Sequence, residues 1–560
     1  MTVADVLSGA TRYHVEQGNV LDRAAALPLG SIHCIVTSPP YWGLRAYDGE
    51  QAQDWPTGEF VPMPGAAPVC VEAERCGLGN ERTPDAFVWH LLLVFRTLRR
   101  VLRDDGTCWV NLGDSYTGGG REPVQRLPGI GRVAGKCQQR DDRSTDGLQD
   151  GSLVGIPWRV AFALQADGWL LRSDVVWAKR NTMPESVAGV RWERCRVKVK
   201  SLRRGNNRAL GGVLSMAGMD QAGGSLGETP AAEWRPCPGC PKCAPHGGLV
   251  LRRGAWRPTK AHEFVFMLAK GPGYFADGDG VRQRAIHAGR VVKATGERSA
   301  NGRSGDGAND RRTAKGFTSH DTLVEATANL RSVWRLATKP SAFDFCARCE
   351  TFYAGDARRA VVRVGGVKTC PTCRASGNWV DHFALMPPAL AERCIKAGSP
   401  EKVCSGCGAA WARVVERNGG VSRDRPLTPR HESAAALHVL HAGQDGSGLA
   451  RPGWRKDPPT QTRTLDFRPT CTCSAPPTSA VVLDPFSGAA TTGCVAVALG
   501  RRYLGIELSE RYAALSRGRL AWAVEHRGEF VREETVVAPT PAPCRISPRP
   551  PQLDLFGAVS

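Results

Sequence analysis

Residues 479–508 read Ser-Ala-Val-Val-Leu-Asp484-Pro-Phe486-Ser487-Gly488-Ala-Ala-Thr491-Thr492-Gly-Cys-Val-Ala-Val-Ala-Leu-Gly-Arg-Arg-Tyr-Leu-Gly-Ile-Glu507-Leu. An apolar run ends on an acid, a turn of small residues and a helix-length segment follow, and a second apolar run ends on Glu507. Short apolar runs alternating with helical segments are the pattern of strands buried in a parallel sheet. The stretch therefore predicts half of a doubly wound, Rossmann-like α/β sheet. The segment from Arg511 to about Val524 predicts the helix that completes the unit. Glu507 lies 23 residues after Asp484, near the spacing at which an acid at the end of the second strand meets ribose hydroxyls. Small side chains in the turn let a ligand approach the backbone. An acid before it and another beyond it suit a nucleoside with a cationic group better than a pyrophosphate.

Earlier in the chain, residues 30–40 read Gly-Ser-Ile-His-Cys-Ile-Val-Thr-Ser38-Pro39-Pro40. This apolar run stopped by two prolines predicts a buried strand ending in a rigid turn. Prolines donate no N–H, so no local donor competes for the Ser38 hydroxyl oxygen or the Pro39 carbonyl. Tyr41 and Trp42 offer aromatic faces beside them. Such a turn can accept both hydrogens of an amino group and aim its nitrogen at an electrophile. Further on, Thr83 is a good N-cap, with Pro84 at the first helical position and Asp85 behind it. Phe87, Leu91, Val94, Leu98 and Leu102 recur at helical spacing, Asp105-Gly106 reads as the helix end, and residues 108–112 as the next strand. Residues 156–178 repeat the theme, with a helix from about Trp158 to Ala166, a turn at Asp167-Gly168 and a strand at 173–177.

Taken together, Ser38-Pro39-Pro40-Tyr41 and the later Asp484-Pro-Phe-Ser-Gly-Ala-Ala-Thr-Thr resemble the β-class, circularly permuted S-adenosylmethionine-dependent DNA amino-methyltransferases, in which the catalytic motif comes first and the cofactor motif last. The resemblance extends to Asn111-Leu-Gly-Asp-Ser-Tyr116, Met183-Pro-Glu-Ser186, Ala261-His-Glu-Phe-Val-Phe266, Asn329-Leu-Arg-Ser-Val-Trp334 and His382-Phe-Ala-Leu-Met-Pro387. It implies methyl transfer to the exocyclic amine of a base flipped out of duplex DNA. Ser38 and the Pro39 carbonyl would hold the amine, Pro40 would help freeze the turn, and Tyr41 would stack on the base. Asp484, Phe486, Ser487, Gly488, Thr491, Thr492, Glu507, Asn19 and His382 would meet the cofactor. Serine before Pro-Pro-Tyr resembles the cytosine-N4 enzymes; adenine N6 is the alternative. Two positions depart from the family pattern. Ala490 stands where a second glycine is usual, which costs energy if the position needs φ > 0. Asn19 stands where an aspartate is usual. A reading of another class is a non-catalytic zinc-ribbon DNA-binding protein on a relic methyltransferase core; the intact Ser38–Tyr41 turn and Glu507 argue against it.

The chain has 560 residues, 74 Lys and Arg against 54 acids, and a net charge of +20, which points to a polyanion partner, double-stranded DNA. Mean hydropathy is −0.28, and no stretch of 18 apolar residues predicts a membrane span. Met1-Thr-Val-Ala-Asp-Val lacks the basic and apolar regions of a secretion signal, so a cytoplasmic, bacterial or phage-encoded protein is expected. Residues 191–210 carry eight Lys or Arg against one acid, and residues 281–320 nine against three, as expected of DNA-contacting loops.

Twenty cysteines without a secretion signal point to zinc rather than disulfides. Cys346-x2-Cys349 and Cys370-x2-Cys373 form a zinc-ribbon pattern. Cys404 and Cys407 with Cys471 and Cys473 form a second group. Cys237, Cys240 and Cys243 supply three ligands, with Cys195 or His246 as the fourth; Cys195 is preferred because it would tie down the base of a basic insert. About three structural Zn2+ ions are expected. Cys34, Cys108, Cys394 and Cys494 sit in apolar settings and read as core.

The expected organisation is a methyltransferase N-terminal half at 1–190 with a loop at 118–152, a basic zinc-binding insert at 191–255, and core at 256–343 with its basic loop. A zinc ribbon at 344–378, core at 379–400, a zinc-binding insert at 401–476, the cofactor-binding half at 477–528 and a flexible tail at 529–560 complete it. In that tail Gln552-Leu553-Asp554-Leu555-Phe556 resembles the pentapeptide by which bacterial proteins bind the sliding clamp; the alternative is that it docks on its own domain.

Overall fold

The computed structural model describes residues 2–43, 51–117, 147–149, 151–182, 189–200, 232–254, 256–285, 291–292, 322–323, 327–338, 343–364, 367–376, 379–380, 386–418 and 461–531. In chain order the main elements are α1 (Val3–Ser8), β1 (Tyr13–Gln17), α2 (Val20–Ala25), β2 (Ile32–Thr37), α3 (Pro84–Val101), β3 (Leu102–Leu112), α4 (Ile156–Ala166) and β4 (Leu170–Lys179). They continue with β5 (His262–Ala269), β6 (Val333–Leu336), α5 (Pro388–Gly398), β7 (Val481–Asp484), α6 (Thr491–Ala498), β8 (Arg502–Glu507) and α7 (Glu510–Glu525).

These strands form one sheet of eight in the order β1-β8-β7-β2-β3-β5-β4-β6. The pairs β1/β8, β8/β7, β7/β2 and β2/β3 are parallel, whereas β5 runs antiparallel to β3 and β4. The last two strands of the sequence thus lie inside the sheet, between β1 and β2. Every residue of β2, β7 and β8 is buried, as a parallel sheet covered on both faces requires. Alternation sends Val481 and Leu483 into a core with α2, α3 and α4, and Val482 into a second core with α5, α6 and α7. The doubly wound prediction is met by these two layers. Cys34, Cys108, Cys394 and Cys494 are all buried in them.

Thr83 caps α3, accepting the Ala86 N–H at 3.0 Å. The helix ends earlier than its spacing predicts: it stops at Val101, and β3 begins at Leu102, so Asp105-Gly106 lies inside an 11-residue strand. Leu102 is buried beside Ile32 of β2, and this sheet pairing outweighs its place in the helical stripe.

Two compact units are distinguished, residues 1–178 with 262–560, and residues 179–261. The second contains two antiparallel ribbons, Arg191–Arg194 with Leu249–Arg252 and Arg196–Lys200 with Ala232–Pro236. Among the described residues, no helix is long and apolar enough to cross a membrane. His382, Met183-Pro-Glu-Ser186, most of the 118–152 and 281–320 segments, residues 201–210, and Gln552 to Phe556 lie outside the described residues.

Candidate active site

Because β2 and β7 are parallel neighbours, with Cys34 opposite Val482 and Ile35 opposite Leu483, both end at one edge of the sheet. The turn Ser38–Tyr41 and the turn after Asp484 therefore emerge side by side, and the Thr37 hydroxyl donates to Asp484 Oδ1 at 2.7 Å. From here the chain winds in opposite directions, β2 through α3 to β3 and β7 through α6 to β8. This is the switch point at which open α/β sheets hold ligands.

Asp484 is 4% exposed and also accepts the Phe486 N–H; burial pushes its carboxyl up to about 6. Glu507 ends β8. It accepts the Gly488 N–H at 2.7 Å and the Ser509 N–H at 3.0 Å, and burial, with Asp484 adding to it, pushes its carboxyl up to about 7. Among the described residues no ion pair reaches either group. Two buried carboxyls without a cation give the turn a negative field that a positively charged ligand relieves.

Ser487, Thr491 and Thr492 face the body of the protein. The Ser487 hydroxyl lies 2.9 Å from the Tyr503 hydroxyl, Thr491 accepts from Arg519 at 2.8 Å, and Thr492 hydrogen-bonds Asp484. These side chains shape the turn, leaving the half-buried Phe486 and Gly488 at its surface. Ala490 caps α6 at φ +51° with its methyl fully buried, so the glycine departure falls at a left-handed position. Asn19 sits at the end of β1, where the Gly18 N–H donates to the Glu507 carbonyl at 2.9 Å. Its side chain caps α2 by accepting the Leu21 N–H at 2.8 Å.

In the other turn Ser38 Oγ donates to the Tyr41 hydroxyl at 3.1 Å, and Tyr41 donates to Glu263 Oε2 at 2.8 Å. Asn111 Nδ2 donates to both, at 2.6 Å to Tyr41 and 2.7 Å to Glu263. The hydroxyl hydrogen of Ser38 is thus committed inward, and its lone pairs are left as acceptors. Asn111 and Glu263 were not among the predicted site residues. Asn111 did carry a signal, a polar residue between the apolar Val110 and Leu112; Glu263, between His262 and Phe264 at the start of its strand, carried none. Gly113 lies against the Tyr41 ring, where a Cβ would come within 2.6 Å. Trp42 does not offer a stacking face: it is 5% exposed, and its indole N–H donates to the Glu81 carbonyl at 3.1 Å.

The structure brings the predicted cysteines together in three fours: Cys195 with Cys237, Cys240 and Cys243; Cys346 with Cys349, Cys370 and Cys373; Cys404 with Cys407, Cys471 and Cys473. In each group the sulfurs lie within 4.8 Å of one another. Sulfur pairs stand 3.8 Å apart for Cys195 and Cys240, and 3.6 Å for Cys346 and Cys373 and for Cys349 and Cys370. Four Zn–S bonds of about 2.3 Å make a tetrahedron with edges of about 3.8 Å, so the donor sets fit that ion. His246 is not part of the first group.

A family model described as DNA methylase, for N6 and N4 methyltransferases, matches residues 32–404 and 471–517. The chain is similar to type II methyltransferase M.Cfr9I of Citrobacter freundii, 44% identical over 32% of this chain and 50% of the relative. M.XycI of Xanthomonas campestris pv. cyanopsidis is 42% identical over the same shares. The chain thus spans about half the length of these two relatives. M.SmaI of Serratia marcescens is 24% identical over 90% of this chain and 89% of its own. Among solved structures, the PvuII DNA methyltransferase (cytosine-N4-specific) overlaps 93% of both chains loosely, at 12% identity and a TM-score of 0.37. Matched by that model along most of its length, with both signature turns meeting at the ends of β2 and β7, the chain belongs to the N6/N4 family of DNA methylases.

Proposed function

We propose that the protein methylates the exocyclic amine of a base flipped out of duplex DNA, with cytosine N4 as the favoured target, and that S-adenosylmethionine is the methyl donor. The observation that carries this reading is the junction of the two turns through Thr37 and Asp484, with acceptors on one side and buried carboxyls on the other. The acceptors are Ser38 Oγ and the Pro39 carbonyl. They take the two amine hydrogens and orient the nitrogen lone pair, so catalysis rests on positioning rather than on a strong base. S-adenosylmethionine, when bound, supplies an electrophilic methyl on a sulfonium. The residues toward it are Asp484, Phe486, Gly488 and Glu507, with Asn19 at the neighbouring strand end; two carboxyls without a cation fit its positive charge. The Tyr41 ring, pinned through its hydroxyl, is the surface on which the base stacks. The late arrival of β7 and β8, lying between the earlier β1 and β2, supports the permuted order. Serine, a neutral acceptor, supports cytosine N4 by resemblance, and adenine N6 is the competing target.

Three zinc ions in the cysteine fours are part of this reading, as staples on excursions of the catalytic unit and of residues 179–261. Double-stranded DNA is the partner that the charge of +20 favours. Gln552, Leu553, Asp554, Leu555 and Phe556 are a candidate sliding-clamp ligand, tested by titrating the last fifteen residues with clamp against a Leu555→Ala, Phe556→Ala peptide. The deciding experiment for the whole is single-molecule sequencing of DNA from cells expressing the protein. N4-methylcytosine in a defined motif is expected; N6-methyladenine would overturn the target base, and unmodified DNA the activity.

A further inference from the structure

We propose a fourth metal site, separate from the cysteine fours and independent of the reading of their metal content, built from Glu74, Cys76 and His90. Two short antiparallel pairs, Gln53–Trp55 with Glu74–Cys76 and Gly58–Phe60 with Val69–Val71, belong to the excursion between β2 and α3. His90 lies on α3. One donor atom from each of Glu74, Cys76 and His90 falls within 4.8 Å of the others.

Two of these atoms want a partner. His90 is fully buried, and its Nε2 has no hydrogen bond; Glu74 Oε1 is buried and has none either. They face each other at 3.9 Å. That is too long for a hydrogen bond, yet it is spanned by one ion bound to both at about 2.0–2.2 Å. The other imidazole nitrogen, Nδ1, lies 3.1 Å from Glu81 Oε1. Glu81 is itself fully buried, and its carboxylate takes the Gly79 N–H at 2.9 Å. A carboxylate behind the imidazole holds the proton on Nδ1 and turns the Nε2 lone pair toward the cluster, the arrangement that supports a metal-bound histidine. Trp55 stacks on the ring at 4.2 Å and 10°, and donates from its indole to the Cys76 carbonyl. Gln53 stands opposite Cys76 in the ribbon, and its Oε1 is also buried without a hydrogen bond. A thiolate, an imidazole and a carboxylate select zinc over magnesium or calcium.

The site has a place in the machinery. The Glu81 carbonyl accepts from Trp42, and the Gly79 carbonyl accepts the Gly43 N–H at 2.9 Å. An ion joining residues 74–76 to α3 therefore braces the chain that follows the Ser38–Tyr41 turn.

The test is zinc content of the full-length protein by elemental analysis, for wild type, Cys76→Ser and Glu74→Gln. Each variant is expected to hold one zinc fewer per chain than wild type, whatever the total; equal content in all three overturns the proposal. Should the variants fail to fold, the zinc X-ray absorption spectrum of wild type decides. The cysteine fours contain no histidine, so an imidazole scattering shell supports the site, and a spectrum fitted by sulfur alone overturns it.

Discussion

The eight-stranded sheet and the cysteine-anchored excursions are held together by different physics. In the sheet, β2, β7 and β8 bury every residue between two helical layers. Two of the excursions are ribbons with exposed apolar side chains: Arg191–Arg194 with Leu249–Arg252, where Trp192 is 50% exposed, and Trp411–Asn418 with Gln461–Pro469, where Leu465 is 54% exposed. An isolated hairpin is marginal in water, so these ribbons need another source of free energy. Cysteine fours stand at their bases, where bound zinc would supply it: the Cys237 N–H donates to the Cys195 carbonyl where one ribbon opens, and Cys404 and Cys407 meet Cys471 and Cys473 beside the other. The two signature turns stand on the part stabilised by burial, at the ends of β2 and β7.

Stripping metal should show the largest effect and break the two regions apart. Structural zinc contributes on the order of 10 kcal/mol to folding a small site. Chelation is expected to open residues 191–200 with 232–254, 343–364 with 367–376, and 403–418 with 461–473 to proteolysis, while amides of β2, β7 and β8 stay protected from hydrogen exchange. Loss of sheet protection at the same chelator concentration would show that the two regions fold as one.

Within the sheet-borne site, Ser38→Ala is expected to lower methyl-transfer turnover about 100-fold, the scale for removing one preorganised polar contact, with the cofactor dissociation constant unchanged in calorimetry. Equal turnover in wild type and variant would remove Ser38 from the site.

Glu507→Ala should weaken cofactor binding by about 1–3 kcal/mol, read by the same titration. Its pH dependence follows from the raised carboxyls at about 6 and about 7. A folded-state pKa above the unfolded value means that the contribution to stability is fully present below about 4 and is lost as pH rises through 6–7. The free protein should lose stability across that range. Cofactor affinity should rise over it, because a cation favours the ionised carboxyls, and a flat profile between pH 6 and 8 would contradict the assignment.

Ala490→Gly should do least. Relief of the left-handed strain, about 1–2 kcal/mol, is offset by a lost buried methyl, about 0.8 kcal/mol, and by the added freedom of the unfolded chain. Thermal unfolding within a few degrees of wild type is expected; a much larger loss would show that packing of the methyl dominates.

Much of this was legible in the sequence because it is local. Strand ends stopped by Pro39-Pro40 or Asp484-Pro, the Thr83 cap and the cysteine pairs are set by neighbours in the chain. Even Cys195 over His246 followed from the need to close an insert at its base. Asn111 and Glu263 escaped because their role is a contact between adjacent strands with Tyr41, and no spacing encodes it. Trp42 was misplaced for the complementary reason: an aromatic beside a turn reads as available until the burial imposed by residues 79–81 is seen.

The sequence by itself determined which residue types stand at each strand end and which cysteines pair at short spacing, since these depend on residue type and short-range geometry. Only the tertiary structure decided what stands beside what. It set β7 against β2 so that Thr37 meets Asp484, turned Ser487 and Thr491 inward, and aimed His90 at Glu74. Such juxtapositions arise from packing two apolar faces of one sheet, which is a property of the whole chain and of no segment within it.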